Sequence, residues 1–231
     1  MFAPRSLPLC LLLALTGIGA GQDEKKVTLP GWGEFIDPAG DCKVREDKGI
    51  VTITVPGGHH NLNPLPEYNL LGPRLLQPAA GDFDIEVKVL KFVRPDKGTS
   101  STKSNVSYTA AGLLIWQDDK TFLRSMRAAH GERNEVFIHV EAFRNAASSQ
   151  GKYFIKKVEE RVLADEPIYY RAERRGNDLT VSRSPDGKEW KVFSRHPING
   201  LKKELLVGVG VVNSTNREFS AHFADFKLTP K

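Results

Sequence analysis

The sequence contains only two cysteines, Cys10 and Cys42, and this scarcity limits how the fold can be stabilised. Cys10 lies in an amino-terminal segment that we expect to be removed, which leaves Cys42 alone. A single cysteine cannot form an intramolecular disulfide, so the mature domain must depend on its hydrophobic core. Because Cys42 stands beside a predicted strand, we expect a partly or fully buried small apolar residue rather than a reactive thiol.

The sequence also lacks the motifs of several common enzyme classes. It has no Gly-x-Ser-x-Gly nucleophile motif, no Gly-rich phosphate-binding loop and no Cys-x-x-Cys pair. The formal net charge is +5, and charges of both signs are interspersed along the chain. That distribution is typical of an ordinary solvated surface and predicts no nucleic-acid partner.

The amino terminus has the layout of a secretory signal peptide. Arg5 precedes an apolar run over residues 7–20 (LPLCLLLALTGIGA), which ends in small residues. A membrane anchor is the alternative, but the run is shorter than the roughly 20 residues that cross a bilayer. The sequence therefore predicts a signal peptide over residues 1–20, a polar linker over 21–26 and a folded domain over 27–231. The mature protein would be secreted, extracellular or periplasmic, with no membrane attachment.

Alternating apolar and polar residues, separated by turn-forming residues, run along the folded domain. In residues 169–190 (YYRAERRGNDLTVSRSPDGKEW), Gly176-Asn177 and Asp186-Gly187 are typical hairpin-turn pairs. The pattern predicts an all-β fold, an antiparallel β-sandwich of the jelly-roll type. Strands are predicted at residues 42–46, 50–55, 83–92, 110–117, 121–129, 135–143, 153–157, 167–175, 179–184, 190–195, 204–213 and 219–228. Residues 56–78 are predicted as a long functional loop and residues 95–105 as a mobile tip.

Six short motifs, in order, resemble the concanavalin A-like lectin/glucanase superfamily, and in particular a secreted group labelled "regulation of enolase"-like. The resemblance covers residues 27–231 and implies two curved antiparallel sheets with a concave face that often binds carbohydrate. It implies no specific activity, because one fold supports many functions. The motifs are residues 32–42 (WGEFIDPAGDC), 72–77 (GPRLLQ), 81–87 (GDFDIEV), 111–119 (AGLLIWQDD), 184–190 (SPDGKEW) and 223–228 (FADFKL).

Large polar residues alternate along three predicted strands in the middle of the chain. Aromatic rings stack on the C–H faces of sugars, and guanidinium groups bind hydroxyl or acidic substituents, so this mixture suits a carbohydrate site. Cross-strand ion pairs at the surface are the alternative interpretation. Arg124 and Arg127 cannot share a strand face, so at most one of them points into the groove. The predicted ligand-binding residues of the concave face are Trp116, Arg124, His139, Glu141, Arg171 and Glu173.

The long loop is predicted to form a wall of the same binding site. Adjacent histidines on a loop can contact a ligand or bind a metal, although solvent-exposed loop histidines are the simpler alternative. An aromatic residue and an arginine follow near the end of the loop. The predicted loop-wall residues are His59, His60, Tyr68 and Arg74.

Loop carboxylates suggest a calcium site between the first and last strands. Asp37 and Asp41 flank a Pro-Ala-Gly turn, and Asp225 lies in the last predicted strand. Carboxylate oxygens suit calcium, although Asx-turn capping by Asp37 and Asp41 explains the turn equally well. Calcium is the only cofactor that the sequence suggests.

These observations leave three hypotheses for function. The first is a carbohydrate-binding, lectin-like domain whose ligand is an oligo- or polysaccharide. The second is a glycoside hydrolase or polysaccharide lyase, with acid/base chemistry from Asp84, Glu86, Glu141 or Glu173; carboxylates two apart on a strand can approach the roughly 5 Å that a retaining hydrolase needs. The third is a non-catalytic domain that binds another protein.

Overall fold

The computed structural model describes residues 26–65, 67–103, 105–145, 158–162 and 166–231. All regular elements within these ranges are β-strands, which we number along the chain. No helix in the described part is long and apolar enough to cross a membrane. The predicted signal peptide, most of the predicted linker and the strand predicted at 153–157 lie outside the described residues.

The strands form two antiparallel sheets. In the eight-stranded sheet, the spatial order is β1 (Thr28–Leu29), β2 (Gly33–Ile36), β5 (Arg74–Ala80), β14 (Glu204–Asn213), β7 (Tyr108–Asp118), β8 (Thr121–His130), β9 (Glu135–Phe143) and β10 (Val158–Val162). In the seven-stranded sheet, the order is β13 (Lys191–Pro197), β12 (Asp178–Ser184), β11 (Ile168–Arg175), β6 (Phe83–Val89), β15 (Phe219–Pro230), β4 (Ile50–Val55) and β3 (Lys43–Asp47). The prediction of an all-β antiparallel sandwich is confirmed.

The main hydrophobic core lies between the two sheets, and the period-two pattern of the sequence builds it. In β6, the apolar Phe83, Ile85 and Val87 point inward, while Asp84 and Glu86 point outward. Because successive side chains of a strand face opposite sides, each strand contributes one apolar face to the core. β4, β7 and β14 add fully buried aliphatic residues to the same cluster.

A second apolar cluster covers the outer face of the eight-stranded sheet. It includes Leu114, Met126 and Val212 from the strands, and Leu62 from residues 56–73, which we call the covering loop. Leu62 is fully buried, and a Cβ atom at Gly210 would lie 2.7 Å from its Cδ1 atom. The missing side chain at Gly210 therefore lets the covering loop pack directly on the sheet.

Two loop predictions need correction. Residues 74–80 form β5, so the predicted 56–78 loop ends at residue 73. The predicted mobile tip is held in place: Thr99 N donates to Ser107 Oγ at 3.0 Å, and Ser101 N donates to Ser214 O at 3.0 Å. The short β1 and β2 were not predicted either, because two to four residues carry too little alternation to be recognised.

The end of β14 fastens the covering loop to the sandwich. Asn213 is fully buried, and its Nδ2 atom donates to Pro56 O at 2.9 Å and to Arg217 O at 2.8 Å. The backbones of His60 and Asn213 exchange two hydrogen bonds, each 2.9 Å long. The loop is thus held by side-chain and backbone contacts at the same point.

Candidate functional site

Three of the predicted ligand-binding residues meet on the outer face of the eight-stranded sheet. Arg124 lies on β8, and His139 and Glu141 lie on β9. In the antiparallel register Arg124 stands opposite Glu141, and Met126 stands opposite His139. Residues opposite each other and two apart share a face, so the three side chains are neighbours.

Arg124 is the centre of a buried polar network. Its Nε atom donates to Glu141 Oε2 at 2.7 Å, its Nη2 atom bonds the same oxygen, and its Nη1 atom donates to Leu62 O at 2.7 Å. The side chain of Arg124 is 5% exposed and that of Glu141 is 16% exposed. The arginine therefore joins two strands and the covering loop, and its charge is balanced by Glu141.

Aromatic and imidazole rings line the neighbouring part of the same face. The Tyr108 hydroxyl lies 3.1 Å from His139 Nε2, and the His130 and Phe137 rings stack with centroids 5.2 Å apart. His139 Nδ1 lies 3.7 Å from Glu141 Oε2. The rings thus continue the polar network and add apolar surface to it.

These side chains line a pocket of about 210 Å³ between the sheet and the covering loop, which we call the outer pocket. Two loops close its rim, the covering loop and the loop that leads into β7. Its described lining residues are Asn61, Asn63, Tyr68, Thr102, Val106, Tyr108, Arg124, His130, Phe137, His139, Glu141 and Ser214.

Trp116 and Arg74 lie on the same sheet face but do not line the outer pocket. Trp116 is 4% exposed and stacks on Phe122 with ring centroids 4.1 Å apart. The guanidinium carbon of Arg74 lies 4.6 Å from the centre of the Trp116 ring. Both residues are covered by their neighbours, so their aromatic and cationic groups are used within the protein.

The two loop histidines have different surroundings. The His59 ring packs edge to face against the ring of Tyr68, which lines the outer pocket, with ring centroids 6.4 Å apart. Burial lowers the pKa of His59, and the neighbouring His60 adds to that effect. His60 is buried and points away to Asp41, with its Nε2 atom 3.0 Å from Asp41 Oδ1.

The grouping of Arg171 and Glu173 with this site was wrong. Both lie on β11 in the seven-stranded sheet and face outward on the other side of the sandwich. Arg171 donates to Glu86 Oε1 at 2.9 Å, and its guanidinium carbon lies 3.9 Å from the centre of the Trp190 ring. Alternation along β11 was recognised, but the sheet to which the strand belongs depends on long-range pairing that alternation does not specify.

The carboxylates proposed for catalysis are likewise divided. Asp84, Glu86 and Glu173 lie on the outer face of the seven-stranded sheet, where Asp84 and Glu173 contact Arg175 and Glu86 contacts Arg171. Among the described residues that line the outer pocket, Glu141 is the only one with a carboxylate. A retaining hydrolase needs two carboxyl groups roughly 5 Å apart, and the described residues of the outer pocket supply one.

The predicted calcium ligands do not form a group. Asp225 Oδ2 accepts a hydrogen bond from Tyr169 on the seven-stranded sheet, whereas Asp37 Oδ2 accepts one from the backbone of Cys42. Within the described ranges, only Asp41, Cys42 and His60 bring three metal-binding atoms within 4.8 Å of one another. Burial raises the pKa of Cys42 far above its usual value, and the nearby Asp37 and Asp41 carboxylates raise it further.

Several pocket residues were not identified from the sequence. Tyr108, His130 and Phe137 share the outward face of their strands with Arg124 and His139, so period-two spacing could have found them. Asn61 and Asn63 could be found only as members of the long loop. The position of that loop over the sheet depends on the contacts at Leu62 and Asn213, which no local pattern encodes.

Comparison with known families identifies the chain. Residues 62–231 match the family DUF1349, described as a protein of unknown function. The chain belongs to the DUF1349 family. The match includes every residue that lines the outer pocket except Asn61. None of the curated proteins matches this DUF1349 chain.

Solved structures similar to this DUF1349 chain share its sandwich. A functionally unknown protein from Saccharomyces cerevisiae has a TM-score of 0.66 at 15% identity, with 87% of this chain and 97% of that chain covered. The GH43 protein BlXynB from Bacillus licheniformis has a TM-score of 0.62 at 14% identity. The matched region covers 90% of this chain but only 38% of that chain. The exoplasmic/lumenal domain of VIP36, in a Ca²⁺/Man3GlcNAc-bound form, has a TM-score of 0.54 at 12% identity, with 87% and 84% covered. The fold is concanavalin A-like, as predicted.

Proposed function

We propose that this protein is a secreted carbohydrate-binding domain that holds one sugar unit of a neutral glycan in the outer pocket. The observation that carries the proposal is the pocket itself, which combines a buried Arg124–Glu141–His139 network with aromatic rings and loop amides. Sugar sites need such a combination, because rings contact the apolar face of the sugar and polar groups bind its hydroxyls.

The size and charge of the pocket favour this ligand class. Its volume of about 210 Å³ is below the roughly 300–1,000 Å³ of sites for drug-sized ligands, so a single ring fits better than a long segment. Arg124 is neutralised by Glu141 and already bonds the covering loop. An acidic sugar would have to compete with Glu141 for that cation, whereas a neutral sugar would not.

The similar structures support the proposal at the level of fold. The VIP36 domain is in a Ca²⁺/Man3GlcNAc-bound form, so a protein of the same fold can bind a glycan. The amino-terminal layout of the sequence supports secretion. Membership of the "regulation of enolase"-like group and a requirement for calcium remain predictions.

A hydrolase or lyase on the same face is the alternative from a different class. Catalysis by two carboxylates would need a second acidic residue beside Glu141, and the others considered lie across the sandwich. We therefore expect binding without release of sugar products. The hypothesis of a protein partner would replace that of a glycan ligand only if no sugar binds.

A glycan-binding screen with matched variants tests the proposal. The full chain is assayed with and without calcium, and released sugars are measured in the same samples. Tyr68→Ala and Glu141→Gln change the pocket, whereas Arg171→Ala changes the opposite sheet and is the control. We expect a neutral glycan to bind wild type and the control, and to bind both pocket variants at least about 10-fold more weakly, since each loses roughly 1.4 kcal/mol or more of contact energy.

Three results would contradict the proposal. Loss of binding in Arg171→Ala with normal binding in both pocket variants would move the site to the seven-stranded sheet. Binding of no glycan by folded wild-type protein, at either calcium level, would leave a protein partner as the better hypothesis. Product release that disappears in Glu141→Gln would replace the lectin-like function with an enzymatic one.

A further inference from the structure

We propose that Asp41, Cys42 and His60 form a binding site for a divalent transition-metal ion of the zinc class. The site lies outside the outer pocket, where the turn before β3 meets the covering loop. The proposal is independent of the function proposed for the pocket.

The donor atoms are already arranged around one point. Asp41 Oδ1 lies 3.0 Å from His60 Nε2 and 3.4 Å from Cys42 Sγ, and all three donors fall within 4.8 Å of one another. Bonds of about 2.0–2.3 Å to a tetrahedral zinc ion separate its ligands by roughly 3.3–3.8 Å. Small side-chain rotations would therefore place all three donors on a single ion.

The backbone holds two of the donors independently of their own contacts. Residue His60 forms its double hydrogen bond with Asn213, and the N–H of Cys42 donates to Asp37 Oδ2 at 2.7 Å. A metal site formed on such fixed backbone requires little reorganisation on binding. His60 is 5% exposed, whereas the Asp41 side chain is 49% exposed, so the ion can reach the cluster from solvent.

One unsatisfied polar atom beside the cluster points to a missing partner. Within the described chain, Asp37 Oδ1 is buried and has no hydrogen-bond partner. Buried polar atoms without a partner are rare and call for a physical reason. A water molecule on the fourth position of a zinc ion would be a donor for Asp37 Oδ1, in the way that outer groups orient metal ligands.

The chemistry of the donors selects the class of metal. Calcium prefers six to eight oxygen ligands, whereas this cluster offers one sulfur, one nitrogen and one carboxylate. Cysteine and histidine favour zinc and related transition metals. Two neighbouring carboxylates, Asp37 and Asp41, also make the surroundings of the thiol negative, which favours a cation. Binding would replace the thiol proton and the hydrogen bond between His60 and Asp41 with bonds to the metal.

Titration of the reduced, metal-free full chain with zinc chloride and cobalt chloride tests the site. We expect one zinc ion per chain, a higher unfolding temperature with zinc, and a thiolate-to-cobalt charge-transfer band in the near-ultraviolet spectrum. The band reports directly on a sulfur ligand. Cys42→Ser should abolish the band and weaken zinc binding by at least about 100-fold. Loss of a residue that only supports a ligand weakens metal binding by about 10- to 100-fold, so a larger loss indicates a direct ligand.

Matched variants separate ligation from folding. Asp41→Asn and Cys42→Ser are nearly isosteric changes at positions that are not fully buried, so they should stay folded and lose the metal. Asp47→Asn and His222→Gln remove a carboxylate and an imidazole outside the cluster and should bind zinc normally. Zinc binding that is unchanged in both cluster variants, or a folded wild type that takes up neither metal, would overturn the proposal.

Discussion

Arg124 and Arg127 show how alternation along one strand assigns two identical side chains to opposite environments. Arg124 faces the outer pocket and pairs with Glu141, whereas Arg127 faces the interior, where its guanidinium carbon lies 4.4 Å from the centre of the Phe92 ring. The expectation that at most one of them points into a binding site agrees with this arrangement. A single residue inserted between them would place both side chains on the same face of the strand.

Removing either partner of the Arg124–Glu141 pair should have unequal effects on stability. Glu141→Ala leaves the arginine, 5% exposed, without its counter-ion; an uncompensated buried charge costs about 3–5 kcal/mol. Arg124→Met removes the cation beside Glu141. Because the Glu141 side chain is 16% exposed and nearer to solvent, this variant should lose less free energy of unfolding. Urea denaturation of both variants gives the two free energies of unfolding.

The double variant Glu141→Ala with Arg124→Met completes the comparison. Because it removes both charges, it should be more stable than Glu141→Ala alone. Equal losses in the two single variants, with additive loss in the double variant, would show that the two charges do not depend on each other.

At the scale of elements, Glu132 holds the loop of residues 95–107 against the sandwich. Its carboxylate accepts hydrogen bonds from Ser107 N at 2.7 Å, Ser107 Oγ at 2.7 Å and Gly98 N at 3.1 Å. Desolvation raises the pKa of Glu132, but these hydrogen bonds outweigh it and lower the pKa to about 2. A segment rich in serine, threonine and lysine, typical of a mobile tip, is thus held by one carboxylate in the turn between β8 and β9. Glu132 follows Ser107 by 25 positions and Gly98 by 34.

The lowered pKa of Glu132 predicts an acid-sensitive loop. A carboxyl group whose pKa is lower in the folded state stabilises the fold above its unfolded pKa, and the stabilisation is lost as the pH falls from about 4.5 towards about 2. Glu132→Gln should therefore lower stability at pH 7 and reduce the change in stability over that acid range. Thermal unfolding of both proteins between pH 7 and pH 3 measures the difference; parallel pH profiles would contradict the assignment.

The elements differ in how far the sequence could predict them. β6, β11 and β12 carry clear alternation and hairpin residues, and they occur where expected. β5 was missed because its RLLQPAA sequence follows a proline-rich loop and has no regular alternation. Arg124 of β8 and His139 and Glu141 of β9 were found through the same local alternation. Their separation from β11 depends on the order of strands in space, which is a non-local property.

At the scale of the whole molecule, the amino-terminal strands complete both sheets. The family match begins at residue 62, yet β2 pairs with β5 and β4 pairs with β15. Three fully buried residues of β4 also belong to the main core, Val51, Ile53 and Val55. The independently folding unit is therefore longer than the segment by which the family is recognised.

A fragment of residues 62–231 should not form a stable native domain. Loss of the three β4 side chains alone removes about 1.5–3 kcal/mol each, which is comparable to the roughly 5–15 kcal/mol total stability of a typical domain. The fragment should bind a hydrophobic dye and lack near-ultraviolet circular dichroism, unlike the full chain. A cooperative unfolding transition in the fragment, with native-like near-ultraviolet signal, would show that β1–β4 are dispensable.

The burial of Asn213 has a consequence for the choice of expression host. Asn213-Ser214-Thr215 is an N-glycosylation sequon, and the Nδ2 atom that would carry the oligosaccharide is the one that donates to Pro56 and Arg217. Asn105, in the sequon Asn105-Val106-Ser107, is exposed instead. Modification of Asn105 is compatible with the native fold, whereas an oligosaccharide attached to Asn213 before folding would prevent β14 from closing the sandwich. A host that does not glycosylate this chain avoids that conflict.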